Sequence, residues 1–189
     1  MTQEFRRRAL AAMMTLSLSA AVVSAKQIHQ VVQIDAARAQ EARATLKEMK
    51  LLASDASADA QRLRSMIQNG EFSPYSHRTQ LTNLQERINQ MGRDVVRLEA
   101  QRDSLPSWEQ HAIDQVLPLV QDAAANARKA IAYFNDNQTR LALPANEQLA
   151  AGLVQDTEQL SAMIGKFLKY EDLRDRESHL ENQIAAHGN

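Results

Sequence analysis

Cysteine is absent from the 189 residues. That removes disulfides, thiolate metal sites, covalent c-type haem and cysteine nucleophiles together. Five glycines and four prolines supply too few turns for a sandwich or barrel of many strands. Charge of one sign is also missing: 22 Lys and Arg stand against 23 Asp and Glu. A polyanion binder or a highly charged tail is excluded on that balance. Aromatics make up only 4% of the chain. What remains in abundance is Ala, Leu, Gln, Arg and Glu, all good helix formers.

Met1 to Ala25 reads as an export signal. Arg6, Arg7 and Arg8 form a positive start, and Ala9 to Val23 carries no charge. Val23-Ser24-Ala25 ends it with small residues where a signal peptidase reads, which places cleavage after Ala25. General export fits better than the twin-arginine route, because Ala9 and Ala11 stand where that route prefers bulky apolar and basic residues. Without cysteine there is no lipobox. The alternative is an uncleaved anchor in the inner membrane, since the whole uncharged stretch from Ala9 to Ala25, 17 residues, is at the short limit for a span. From Lys26 onward, 19 Lys and Arg face 22 Asp and Glu, a formal charge of −3. No second run long enough to span a bilayer follows, so localisation is expected in the periplasm or outside the cell.

Residues 26–189 carry four apolar seams and read as one all-α domain. Helix one, about 27–69, places Ile28, Val32, Asp35, Ala39, Ala42, Leu46, Met49, Ala53, Ala56, Ala60, Leu63 and Ile67 at alternating steps of four and three. That is a heptad pattern. Gly70 stops it, and Ser73-Pro74 opens helix two, about 74–105, with Leu81, Leu84, Ile88, Met91, Val95, Leu98 and Leu105. Ser107 with Gln110 suggests a capping box for helix three, about 108–140, which carries Ile113, Val116, Val120, Ala123, Ala127, Ala130 and Phe134, with a kink expected at Pro118. Helix four, about 145–186, has Leu149, Leu153, Leu160, Met163, Phe167, Tyr170, Leu173, Leu180 and Ile184 on its expected seam. Short loops force neighbouring helices to run antiparallel. The expected architecture is an elongated up-down-up-down four-helix bundle, the alternative an extended hairpin that dimerises to complete its core. Register puts Phe167 of helix four opposite Leu46 to Met49 and Tyr170 near Ala42. It also puts Gly92 opposite Pro118, where backbones could approach closely.

The chemistry-bearing residues point away from catalysis. There is no Gly-x-Ser-x-Gly and no glycine-rich phosphate loop. Carboxylates alternate with arginine, as in Glu86-Arg87, Arg93-Asp94, Arg97 and Glu99, which reads as a solvated face with local ion pairs. The same mixing excludes nucleic acid as a partner. The Glu-x-x-His pairs of a di-metal bundle do not occur. His29, Asp35, His179 and His187 fall near one end of helices one and four, a ligand set that zinc or copper would accept; the competing reading is exposed polar residues on helix ends. Met49, Met66, Met91 and Met163 lie on or beside seams, where methionine fills cores more often than it binds haem. No cofactor is expected. Asp35 and Asp156 occupy seam positions, as register-fixing polar groups or as solvated residues near helix ends. Asn137-Gln138-Thr139 is a glycosylation tripeptide with no role assigned.

Leu81-Thr82-Asn83-Leu84-Gln85 resembles the Leu-Thr-x-x-Gln element of small all-helical periplasmic stress chaperones. That family usually carries the element twice, and this chain has one copy over five residues. The resemblance implies a holdase-like role and no particular site residue. Three functions follow as expectations: an exported, non-enzymatic bundle acting through protein partners or self-association, a periplasmic holdase, and a metal or haem carrier. Phe72 and Tyr75 in the first turn converge with Tyr133 and Phe134 on one end of the bundle. They either plug it or, in the case of Phe72 and Tyr75, anchor a partner.

The cleavage assignment has a direct check. Ala25→Leu should block processing, because the peptidase pocket accepts only small side chains. Mass spectrometry of the unaltered exported protein should find Lys26 at its N-terminus; Met1 retained in a membrane fraction would establish the anchor instead.

Overall fold

The computed structural model describes the backbone of residues 3–71 and 73–187 and the side chains of residues 36–71 and 73–186. It contains α1 (Gln3–Gln68), α2 (Pro74–Gln101), a single 3₁₀ turn (Arg102–Ser104), α3 (Ser107–Asp136) and α4 (Pro144–His187). There is no strand among the described residues. Each helix packs on its chain neighbours, and α1 closes the ring against α4, while the α1–α3 diagonal barely touches. This is the antiparallel four-helix bundle. No helix among the described residues is long and apolar enough to cross a membrane.

Local sequence explains the helix ends. Gly70 has φ of 75°. That left-handed residue lets the Glu71 N–H donate to the Met66 carbonyl at 2.8 Å and the Gly70 N–H to that of Ile67 at 3.2 Å. Carbonyls that helix termination would orphan are thereby satisfied. Ser73 caps α2 by accepting from the Ser76 N–H, with Pro74 in the first turn. The capping box expected at Ser107 does not form. Pro106 is the cap residue, its carbonyl accepts from the N–H groups of Glu109 and Gln110, and the Gln110 side chain donates to the Leu105 carbonyl at 2.8 Å. The helix thus starts one residue earlier than the box requires. At the other end α3 stops at Asp136, short of the expected 140, where the Asn137 amide donates to the Tyr133 carbonyl. Pro118 sits exposed inside an unbroken α3. A Cβ built at Gly92 would meet nothing within 4 Å, so the expected close approach there is absent.

The seams of α1, α2 and α3 are the core from Ala42 onward. Leu46, Met49, Ala53 and Ala56 of α1, Leu84, Ile88 and Met91 of α2, and Ile113, Val116 and Ala123 of α3 are all buried. Small residues on α1 face Leu153, Leu160, Ile164 and Leu168 of α4, the pairing of small with large that dense packing requires. The α1–α4 register is fixed by Arg64 on Glu147, Gln61 on Glu158 and Arg43 on Asp172; this sets Phe167 level with Leu46 to Met49 as expected, but its ring lies against His111 of α3.

The arginine-carboxylate alternation of α2 is a solvated face only in part: Glu86, Arg93, Arg97 and Glu99 are exposed, but Arg87 and Asp94 turn inward. Arg87 reaches across to α1, with Nε 2.7 Å from Asp59 and a terminal nitrogen 3.0 Å from Asp55, and Asp59 is buried. Asp94 is buried too, held by Arg97, which also donates to Thr45 of α1. A carboxylate out of water needs such a partner, and losing it strands the charge. Arg87→Met leaves Asp59 only the exposed Arg62 at 3.3 Å, so it should destabilise the bundle by about 2 kcal/mol, and Asp59→Leu added to it should recover most of that loss. Denaturant midpoints of the two variants check this.

Candidate functional site

Of the residues expected to carry function, the aromatic end divides. Phe72 lies outside the described residues. Phe134 is in the core, Tyr133 is half-buried and Tyr75 is 81% exposed. Phe134 is covered by a residue the sequence reading passed over. The His77 ring is buried and lies parallel to Phe134 with centroids 6.5 Å apart. Its Nδ1 is 3.0 Å from the Ser73 carbonyl, which can only accept, so Nδ1 carries the proton. Its Nε2 is buried without a partner. A histidine at the first turn of a helix whose cap carbonyl it can reach was the available signal.

The side chains of His29, Asp35 and His187 lie outside the described residues; His179 is exposed and pairs with Gln183. Among the described residues no group of three or more His, Asp and Glu could hold a metal. Met49 and Met91 are core residues, and Met66 and Met163 are half-buried. Asp156 sits in the body of α4, half-buried, and accepts from Asn126 of α3 at 2.7 Å, so it bridges two helices rather than sitting in water at an end.

The chemically unusual region is the opposite end, at the α2–α3 turn. Glu109, in the first turn of α3, is 1% exposed, and its Oε2 has no hydrogen-bond partner. Burial raises its pKa to about 7, the nearby Glu171 of α4 adds to the rise, and Arg174 and Arg43 oppose it. Glu171 is also buried and its pKa is raised, again by burial first, with Arg43 opposing. Arg43 of α1 brings Nε within 2.7 Å of Glu171 Oε2, close enough for charge pairing but out of line with the N–H. Its other nitrogens donate to Asp172 at 2.8 Å and Asp175 at 3.0 Å. These groups close the bottom of the four-helix core.

Beside this lock lies a groove of about 480 Å³ between α3 and α4, lined by Trp108, His111, Met163, Lys166, Phe167 and Tyr170 among others. His111 meets the Phe167 ring edge-on with centroids 5.7 Å apart. This groove corrects the seam expected for α4. Beyond Leu160 the core positions are Ile164, Leu168 and Glu171, one residue past Met163, Phe167 and Tyr170. Met163 and Phe167 are half-buried at the groove, and the rest of that seam leaves the bundle. Tyr170 and Leu173 are just over half exposed, as is Leu180, and Ile184 is 73% exposed. They form an apolar stripe running from the groove along α4 past the last turn that α2 and α3 can cover.

No family model matches the chain, and no curated protein or solved structure matches it. This end of the bundle offers an aromatic groove, a row of exposed apolar residues broken by Glu177, and a buried carboxyl pair beneath them.

The pair makes stability depend on pH in a definite direction. In the fold Glu109 keeps its proton up to about pH 7, whereas an unfolded glutamate releases it near 4.3. Between those values the folded state binds more protons, so stability falls as pH rises through the window and is fully present below it. Glu109→Gln should match the unaltered chain below pH 4 and exceed its stability above pH 7 by about 1–3 kcal/mol. Unfolding midpoints of both proteins at the two pH values measure the difference.

Proposed function

We propose that this chain is an exported, non-enzymatic helical-bundle protein that acts through protein–protein contacts, made where α4 leaves the bundle. The observation that carries this reading is the stripe of Tyr170, Leu173, Leu180 and Ile184, continuous with the Trp108 groove. Single exposed apolar residues are ordinary on a protein surface, but a row of four joined to an aromatic groove, broken only by Glu177, marks a contact site. Trp and Tyr at its head are residues that dominate interface energies. The other end is a weaker candidate: Tyr75 is exposed, but Ser73, Arg78 and Thr79 around it are exposed and polar. The buried carboxyl pair closes a core rather than lining an open cleft, which supports a structural role for it. Export rests on Arg6 to Arg8, the uncharged run that follows, and Ala25.

The chaperone reading draws on the same stripe, since a holdase needs exposed apolar surface. Its motif residues Leu81 and Leu84 are buried in the core, which packing alone accounts for.

Photo-crosslinking from positions 173 and 180 in the exported fraction tests the proposal. A discrete adduct is expected, lost on Leu180→Ser with stability changed by no more than about 0.5 kcal/mol, as for a surface substitution. A smear of many clients, with suppression of client aggregation by the purified protein, would move the reading to a holdase. No adduct from either position would contradict contact at this face.

A further inference from the structure

We infer that the stripe of α4 takes a second copy of this chain, the two α4 ends lying antiparallel about a two-fold axis. The inference rests on the reading of this face as a protein contact site and names its occupant. Tyr170, Leu173, Glu177, Leu180 and Ile184 follow one another at steps of three, four, three and four. That is a coiled-coil seam, and it is unpartnered: its apolar members are all at least half exposed, and Glu177 is exposed as well. The seam is nearly palindromic about Glu177, with apolar residues seven and four positions before it and three and seven after it. A surface that reads alike in both directions is self-complementary under a two-fold axis, as an isologous interface must be.

Charge selects the register. Arg174 and Glu181, one heptad apart, flank the seam on the same side and are both exposed. When Leu173 of one copy faces Ile184 of the other, and Leu180 faces Glu177, each Arg174 comes alongside Glu181 of the second copy. Two symmetric ion pairs result. Sliding the helices one heptad, so that Tyr170 faces Leu180, instead sets Arg174 near Arg174 and Arg176 near Arg176. Like charges across a coiled-coil rim oppose pairing, and opposite charges set orientation and register. The chosen register also uses the whole overhang. The helix from Asp172 to His187 is about 24 Å long at 1.5 Å per residue, and its end arrives at Tyr170 of the other copy, at the mouth of the Trp108 groove. Glu177 is the one polar member of the seam, and facing Leu180 it holds the pairing to modest strength.

Sedimentation equilibrium of the exported protein, residues 26–189, across a range of concentrations tests the inference. A monomer–dimer equilibrium with no higher species is expected. Glu177→Leu should tighten it about tenfold or more, because two further leucines become buried. Arg174→Glu alone should weaken it about tenfold, and Arg174→Glu combined with Glu181→Arg should restore it to within about threefold. A second measurement holds even where a charge variant misfolds. In Leu173→Cys/Ile184→Cys the introduced thiols are eleven residues apart on one helix, too far to bridge within a chain, so oxidation should give a covalent dimer. A chain that stays monomeric at every concentration, a charge pair that does not rescue, or no covalent dimer would each overturn the second copy as occupant. A discrete heterologous adduct in the crosslinking experiment would then leave the contact reading standing; loss of both results would remove the contact reading as well.

Discussion

A four-helix core can run only as far as its shortest helices reach. Here α2 and α3 have 28 and 30 residues, while α4 has 44 and α1 has 66. At 1.5 Å per residue the inner pair covers about 45 Å, and α4 extends to about 66 Å. Everything distinctive about the molecule follows from that mismatch. Within the shared length the seams of all four helices meet and water is excluded. At the α2–α3 turn the core must be closed, and Trp108, Glu109, Glu171 and Arg43 close it. Beyond the turn α4 has lost α3, one of the two helices it packs on, and the residues that would have packed there face water.

The closure has an electrostatic character that the rest of the core lacks. Asp59 and Asp94 are also buried, but each has arginine within 3.3 Å. Glu109 has no such direct partner, and it shares its surroundings with Glu171. Burial disfavours the charged form, Glu171 adds to that, and Arg174 and Arg43 offset it only in part, which is why the Glu109 pKa is raised to about 7. The apolar stripe begins within one turn of Glu171, so the surface offered for contact is anchored on that same region.

Much of this was legible in the sequence, for reasons that differ by helix. The seams of α1 from Ala42 onward, of α2 and of α3 keep a strict heptad with few competing apolar positions, so periodicity identified the buried face correctly. Leu153 and Leu160 of α4 were placed in the same way. Further along, two overlapping apolar rows exist, Met163-Phe167-Tyr170 and Ile164-Leu168, and the row with the larger side chains was not the one facing the core. What decided it was the polar Glu171 continuing the inner row, which periodicity rejects and only the Arg43 contact across the bundle allows. Arg87 with Asp59 was missed for a related reason. A charge reads as solvated until its partner on another helix is known. Thr157, likewise buried, satisfies its hydroxyl on the Leu153 carbonyl within its own helix, so it could take a core position without any interhelical partner.

The surface of α4 divides into a buried row and an exposed row, and the absence of cysteine makes that division directly measurable. Single substitutions Leu160→Cys, Ile164→Cys, Leu168→Cys, Leu173→Cys and Leu180→Cys give one thiol each, and maleimide labelling at high dilution reports its access to solvent. The first three are expected to be strongly protected and the last two to label at nearly the rate of a free thiol. Protection of positions 173 and 180 comparable to that of 160 would show that the stripe is already covered within one chain, and would contradict that division.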